Sequence, residues 1–196
     1  MSDEKKNHQP LSPYLIHQKI RGTSQRPDEH DFVLWTDGSG YDIGYTGSAS
    51  VLLENETGKK EIRISTSSYQ STHRAEFEAL LNGLQSILDS KGWDSLAEKK
   101  RLDQSIIKPT VCWFGDCESL VLSVYIDDTT KEPMFRRRLN GDLWHRFSYY
   151  ETAFNITPMY IERNSMVEHA LTDRLAGEGR ILLKEYMETL KADKVI

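Results

Sequence analysis

The segment Phe32-Val33-Leu34-Trp35-Thr36-Asp37 constrains the fold of this chain more than any other. Its side chains carry no charge until Asp37. A short apolar run without polar alternation suits a strand covered on both faces, inside a layered domain. A carboxylate at the end of such a strand is costly unless it is paired or ligates a cation. Asp37-Gly38-Ser39-Gly40 then reads as a turn. The chain is therefore expected to have a central strand that delivers an acid at its C-terminal end.

The pattern downstream sets the rest of the fold. Residues 45–53 read as a second strand, and Gly58 suits the hairpin loop that follows. Residues 60–66 alternate charged and apolar side chains, which predicts a third strand with Ile62 and Ile64 facing inward. The period then lengthens. Phe77, Leu80, Leu81, Leu84 and Leu88 recur at helical spacing over 72–89, with Ser71 or Thr72 as the cap. Residues 90–109 are a polar connection. Residues 110–115 form a fourth strand, 118–126 a short helix, 138–154 an aromatic-rich helix and 156–161 a fifth strand. Helical spacing returns from 168 onward, where Gly177 and Gly179 leave a break into two helices open. Hairpins followed by helical crossovers predict an α/β domain. Its sheet has five mixed strands, the first three antiparallel, with helices on both faces.

Residues 1–29 are polar and contain Pro10, Pro13 and Pro27, which predicts a flexible tail before a domain over 30–196 with a helical C-terminal extension. The N-terminus has no apolar stretch like that of a secretory signal, and no segment is apolar enough to span a membrane. Cys112 and Cys117 are too few for a disulfide framework and lack a metal-ligand spacing, so a cytoplasmic location with reduced thiols is expected. The net charge of -5 is unlike that of a protein that coats nucleic acid through a basic surface. Contact with nucleic acid would then run through local patches or through metal ions.

Four acids occupy topologically compatible places. Asp37 ends the first strand and Asp116 the fourth. Glu76 lies in the first turn of the long helix, and Asp173 in the first turns of the last one. Taken singly, each has an ordinary explanation, as a turn residue or as an acid complementing a helix dipole. Together they could gather two divalent ions about 4 Å apart, the arrangement suited to phosphodiester hydrolysis. Mg²⁺ needs only a few carboxylates, because substrate phosphate and water complete its shell.

These residues lie in segments that resemble motifs of the ribonuclease H family. Trp35-Thr36-Asp37-Gly38-Ser39 resembles its first motif, and Thr72-His73-Arg74-Ala75-Glu76 its helix motif. Phe114-Gly115-Asp116-Cys117 resembles the third and Thr172-Asp173-Arg174-Leu175-Ala176 the fourth. Asn140-Gly141-Asp142-Leu143-Trp144 is similar to a helix start found between the last two. The resemblance runs from about Phe32 to Ala176. It implies a ribonuclease H-like fold, with Asp37, Glu76, Asp116 and Asp173 as ligands of two Mg²⁺ ions and Mn²⁺ as a substitute. The implied activity is endonucleolytic cleavage of the RNA strand of RNA–DNA hybrids, leaving 3′-hydroxyl and 5′-phosphate ends. The alternatives are a related nuclease acting on structured DNA or double-stranded RNA, and a non-catalytic module that binds nucleic acid or protein.

The same resemblance suggests substrate contacts from Gly38, Ser39, Thr72, His73 and Arg74. Thr72 and His73 stand where many members carry asparagine at one or both positions, which bears on strand discrimination. In the loop before Asp173, where many bacterial members carry a proton-handling histidine, His169 is the one histidine that could serve, with Glu168 or Arg163 as substitutes; its bland alternative is a surface or capping residue. Arg136, Arg137, Arg138 and Trp144 form the best basic and aromatic patch, with Lys131 nearby. Its bland alternative is a solvated helix start with Trp144 in the core. Lys99-Lys100-Arg101 reads as a solvated loop.

Overall fold

A computed structural model describes residues 26–40, 44–68, 70–93, 108–127, 130–133, 135, 137 and 139–192. Its strands are β1 (Phe32–Gly40), β2 (Tyr45–Glu54), β3 (Lys60–Ser68), β4 (Thr110–Gly115) and β5 (Asn155–Tyr160). Its helices are α1 (Thr72–Lys91), α2 (Glu118–Val124), α3 (Gly141–Ala153) and α4 (Val167–Ala192). The sheet order is β3-β2-β1-β4-β5. β1 pairs antiparallel with β2 and parallel with β4; β2–β3 is antiparallel and β4–β5 parallel. This is the five-stranded mixed sheet expected from the sequence, except that β1 runs on through Gly40, paired with β2, where a turn was expected over residues 37–40.

Phe32 to Gly38 are all buried because β1 lies between two helical layers. Strand alternation separates its side chains. Phe32 and Leu34 join Phe77, Leu80, Leu81 and Leu84 of α1, together with Leu143 and Phe147 of α3. Val33 and Trp35 join Val51, Cys112 and Phe114 on the opposite face, against Met166 and Leu171. Trp35 and Phe114 stack with ring centroids 5.9 Å apart. On the α1 side, the buried Trp113 indole N–H donates to Thr36 Oγ1 at 2.8 Å, so neither group is left unpaired in the core.

The helix ends follow local chemistry. Ser71 caps α1, its hydroxyl accepting the Arg74 amide at 3.2 Å. Gly92 ends the helix in the left-handed conformation, at φ 66°. α4 runs unbroken through Gly177 and Gly179. At Gly179 the absence of a side chain serves packing: a Cβ there would lie 3.0 Å from Ile64 Cγ2 and 3.3 Å from Thr66 Cγ2.

Strand β3 differs from the expectation. Ile62 and Ile64 are about half exposed, at 50% and 47%, whereas Glu61, Arg63, Ser65 and Ser67 take the more covered side. β3 is the sheet edge, and its polar face lies toward α1. There Arg63 pairs with Asp89, and Asn82 donates to Ser65 Oγ at 2.8 Å. α4 covers the isoleucine face only in part. Alternation gave the two faces correctly but not which of them the helices would cover.

Residues 1–25 of the expected tail and Lys99-Lys100-Arg101 lie outside the described residues. Pro27–Glu29 forms a single 3-10 turn, and Asn55 Nδ2 donates to the Pro27 carbonyl at 2.8 Å. No helix among the described residues is long and apolar enough to cross a membrane.

Two glycines set how closely the helices approach the sheet. A Cβ on Gly38 would lie 2.2 Å from the Glu76 backbone nitrogen. A Cβ on Gly47 would lie 2.1 Å from the Ala176 carbonyl oxygen and 2.8 Å from the Arg180 nitrogen. These obstacles are backbone and cannot rotate away. Gly47→Ala is therefore expected to lift α4 off β2 and to cost about 1–3 kcal/mol or more, as overpacking does. Urea unfolding monitored by tryptophan fluorescence measures this; an unchanged midpoint would contradict the close-approach argument.

Candidate metal centre

The sheet topology carries two acids to one place. β1 and β4 run parallel, with Trp35 opposite Phe114. Asp37 and Asp116 each follow that pair by two residues, so alternation puts both on the face of Trp35 and Phe114. α4 lies over this face and contributes His169 and, one helical turn later, Asp173. Glu76 arrives from the other layer. The bare backbone of Gly38 lets the first turn of α1 come close enough for Glu76 to reach over the end of the sheet.

Asp37 is 2% exposed, Glu76 7% and His169 0%. One ligating atom from each of Asp37, Asp116 and His169 lies within 4.8 Å of the others. His169 Nε2 is 3.8 Å from Asp116 Oδ1 and 4.0 Å from Asp37 Oδ1. Asp37 Oδ2 and His169 Nε2 are both buried without a hydrogen-bond partner. His169 is thus neither a surface residue nor a helix cap.

The crowding of acids shifts their protonation. Burial pushes the Asp37 carboxyl up to about 7, and the charges of Asp116 and Asp173 push in the same direction. The Arg163 guanidinium and the Gly38 amide oppose this. Burial also raises Glu76 well above the usual carboxylate range, with Asp37 and Asp116 adding to it. Burial lowers the pKa of the His169 ring, partly offset by Asp116 and Asp173. Asp173 sits at the rim, its carboxylate bonded to Arg163 of the β5–α4 loop. Arg163, one of the loop residues the sequence offered, lies ten residues from Asp173, and the loop path brings the two together.

Buried acids with an unpartnered oxygen suit a cation. Asp37 and Asp116, with Glu76 beside them, offer the hard oxygen donors that Mg²⁺ and Mn²⁺ take.

No protein-family model and no curated protein matches the sequence. Solved structures do. LC11-RNase H1, isolated from compost by a metagenomic approach and solved in complex with an RNA/DNA hybrid, aligns with a TM-score of 0.54 at 16% identity. The alignment covers 78% of this chain and 98% of that one. The foamy viral protease-reverse transcriptase in complex with dsDNA aligns with a TM-score of 0.53 at 16% identity, over 80% of this chain and 97% of that one. The native Prototype Foamy Virus protease-reverse transcriptase gives 0.53 at 14% identity, over 81% of this chain and 22% of that one. The chain has the ribonuclease H fold.

On this ribonuclease H fold, the other sequence-derived candidates fall into two groups. Gly38, Ser39, Thr72, His73 and Arg74 lie where β1 and α1 meet beside the acids. Arg74 is held by the Asp142 carboxylate of α3, with Glu78 3.9 Å away. His73 is half-buried, and its Nδ1 lies 3.2 Å from Asn140 Nδ2. Asn140 itself adopts the left-handed conformation at φ 58°. These contacts tie the start of α1 to the start of α3.

Arg137 and Trp144 form the second group and are occupied internally. The Arg137 guanidinium lies 4.5 Å from the centre of the Trp144 ring, bonds the Glu151 carboxylate and donates to the Ser123 carbonyl. Trp144 packs on Phe77 with ring centroids 4.4 Å apart. Trp144 thus follows the core reading. Arg136 and Arg138 lie outside the described residues. Burial pushes the Cys112 thiol up to about 12, which leaves it unreactive.

The raised Asp37 pKa has a consequence for stability. An acid whose pKa is higher in the folded state favours folding most below its unfolded pKa, and that contribution is lost as pH rises through the folded value. For Asp37 the window runs from its ordinary 3.8 to about 7. Asp37→Asn is therefore expected to raise the melting temperature of the metal-free protein at pH 8, by an amount that shrinks toward pH 4. Mn²⁺ should stabilise the wild type more than this variant. Thermal melts in chelator and in Mn²⁺ across this pH range read both effects; equal destabilisation of Asp37→Asn at every pH would refute the account.

Proposed function

We propose that this protein is a divalent-metal-dependent nuclease that cleaves the RNA strand of RNA–DNA hybrids, using Mg²⁺ with Mn²⁺ as a substitute. The observation that carries the reading is the convergence of Asp37, Glu76 and Asp116 in a buried cluster where Asp37 Oδ2 has no partner. Asp37 and Asp116 would hold the ions from the two parallel strands, Glu76 from α1 and Asp173 from α4. When bound, two such ions supply an activated water and neutralise charge on the leaving oxygen.

The chain's own part in the reaction is placement. β1 and β4 are braced on both faces, so Asp37 and Asp116 stand on rigid supports. Burial of Asp37 and Glu76 strengthens their attraction for a cation and excludes competing water. Asp173 is 25% exposed and sits at the rim, where the substrate phosphate would arrive. Arg163 must then give up its bond to Asp173 and is well placed to meet the phosphate instead.

RNA–DNA hybrid is favoured as substrate by the resemblance of all four acidic motifs to the ribonuclease H family, and LC11-RNase H1 was solved with such a hybrid. Strand choice would depend on contacts to 2′-hydroxyls. Ser39 and Thr72 are short polar side chains close to the acids along β1 and α1, and Thr72 stands in place of the family's frequent asparagine.

Incubation with labelled RNA–DNA hybrid, double-stranded RNA and double-stranded DNA tests the reading. The hybrid should be cut in Mg²⁺ or Mn²⁺ and remain intact in chelator. Asp37→Asn and Asp116→Asn should each lower the rate by about a thousandfold or more while circular dichroism stays unchanged, in line with removal of a group central to transition-state stabilisation. Cleavage surviving either substitution would remove that acid from the site. Preference for double-stranded RNA or DNA would move the protein to another nuclease class, and failure to cut any duplex would favour a binding module.

A further inference from the structure

His169 is the one fully buried titratable side chain in the acid cluster whose role the two-metal reading does not supply. Its environment fixes its tautomer. The Asn164 main-chain N–H donates to Nδ1 at 3.4 Å. A neutral imidazole has one N–H and one lone pair, so a ring that accepts at Nδ1 carries its hydrogen on Nε2. Nε2 faces the Asp116 and Asp37 carboxylates at 3.8 and 4.0 Å and has no partner of its own.

Distance alone would let His169 join Asp37 and Asp116 as a third ligand to one ion. The tautomer opposes this, because a nitrogen that carries hydrogen has no lone pair to give. Ligating histidines also donate their second ring N–H to a carboxylate, carbonyl or water. Here the second nitrogen faces an N–H instead, so the ligand form would set two donors against each other. Complete burial likewise denies the ring a direct route for exchanging protons with solvent. The placement instead suits a donor. One N–H points between two anionic groups that repel each other, and closing either gap by about 1 Å would make an ordinary hydrogen bond.

We propose that His169 is a positioning residue: a buried Nε2–H donor, oriented by the Asn164 amide, that aligns the Asp37 and Asp116 carboxylates as oxygen ligands without itself binding the ion or carrying a proton. This rests on the metal-dependent reading above. It implies that the ligand set stays all-oxygen despite the imidazole beside it.

Two measurements on the full-length protein test it. Nitrogen NMR of the ring in the wild type, with and without Mg²⁺, should find hydrogen on Nε2 in both states. Pulsed EPR of the Mn²⁺-loaded protein should show no directly coordinated histidine nitrogen. Mn²⁺ titration should then show binding weakened about 10–100-fold in His169→Ala, the usual cost of removing an outer partner of a metal ligand. His169→Gln keeps an N–H donor near the Nε2 position and should bind Mn²⁺ nearly as tightly as the wild type. A coordinated imidazole nitrogen in EPR, or a ring proton that moves to Nδ1 with Mg²⁺, would overturn the proposal and make His169 a ligand. Equal weakening in the Gln and Ala variants would overturn the donor role. If the wild type takes up no Mn²⁺ even with hybrid bound, the metal-dependent reading itself falls and takes this inference with it. Ring assignment in the metal-free protein separates that outcome from a wrong tautomer.

Discussion

Burial of like charge on a central strand, just past the end of its pairing with β4, is the constraint on which this molecule depends. Asp37 is held inside the fold beside Asp116 and near Glu76, with opposing charge from Arg163 at the rim. Nothing in the packing requires carboxylates there. An apolar or amide side chain at Asp37 would relieve the repulsion and the desolvation together. The hydrophobic layers on both faces of β1 offset this cost, with Phe77, Leu80 and Leu84 below and Trp35 stacked on Phe114 above. A site that opposes stability while the rest of the fold supports it is a common mark of function.

The backbone details serve that arrangement. Gly38 and Gly47 have no room for a side chain, and each marks a place where a helix carrying an acid comes down onto the sheet. α1 brings Glu76 past Gly38, and α4 brings His169 and Asp173 past Gly47. The two layers thus approach the same end of β1 from opposite sides. The precision of the cluster comes from these close approaches, because the polar bonds inside it are few. The Asn164 amide on the His169 ring and the Arg163–Asp173 pair are its clearest internal contacts.

The elements that carry the four candidate acids and the mixed five-stranded sheet were legible because each rests on a local pattern. An uncharged run ending in Asp37, a second ending at Asp116 and a change of period before Glu76 can all be read within a dozen residues. The outward placement of Ile62 and Ile64 was not legible, since edge position and helix coverage are properties of the whole sheet. The burial of His169 was not legible for a similar reason. Its neighbour Glu168 is charged and Val167 is exposed, and only the tertiary fold sets His169 against Asp37 and Asp116. The break allowed at Gly177 and Gly179 did not occur, because helical contacts on both sides outweigh the weak preference of glycine for other conformations.

The pairing of the arginines explains how an acidic protein could handle a polyanion. Arg74 is held by Asp142, Arg137 by Glu151 and Arg163 by Asp173. A chain of net charge -5 whose arginines near the cluster already have carboxylate partners offers little free positive field to steer phosphate. Divalent ions change that balance locally, because two of them bring four positive charges to the acids at the end of β1. Binding of nucleic acid would then follow cation occupancy, and Arg163 is the arginine whose partner the ions themselves would claim. If Asp173 held an ion, the Arg163 guanidinium, 68% exposed at the rim, would be free to meet a phosphate. Charge would thus be exchanged within the site in the order that the chemistry needs, cation first and substrate second.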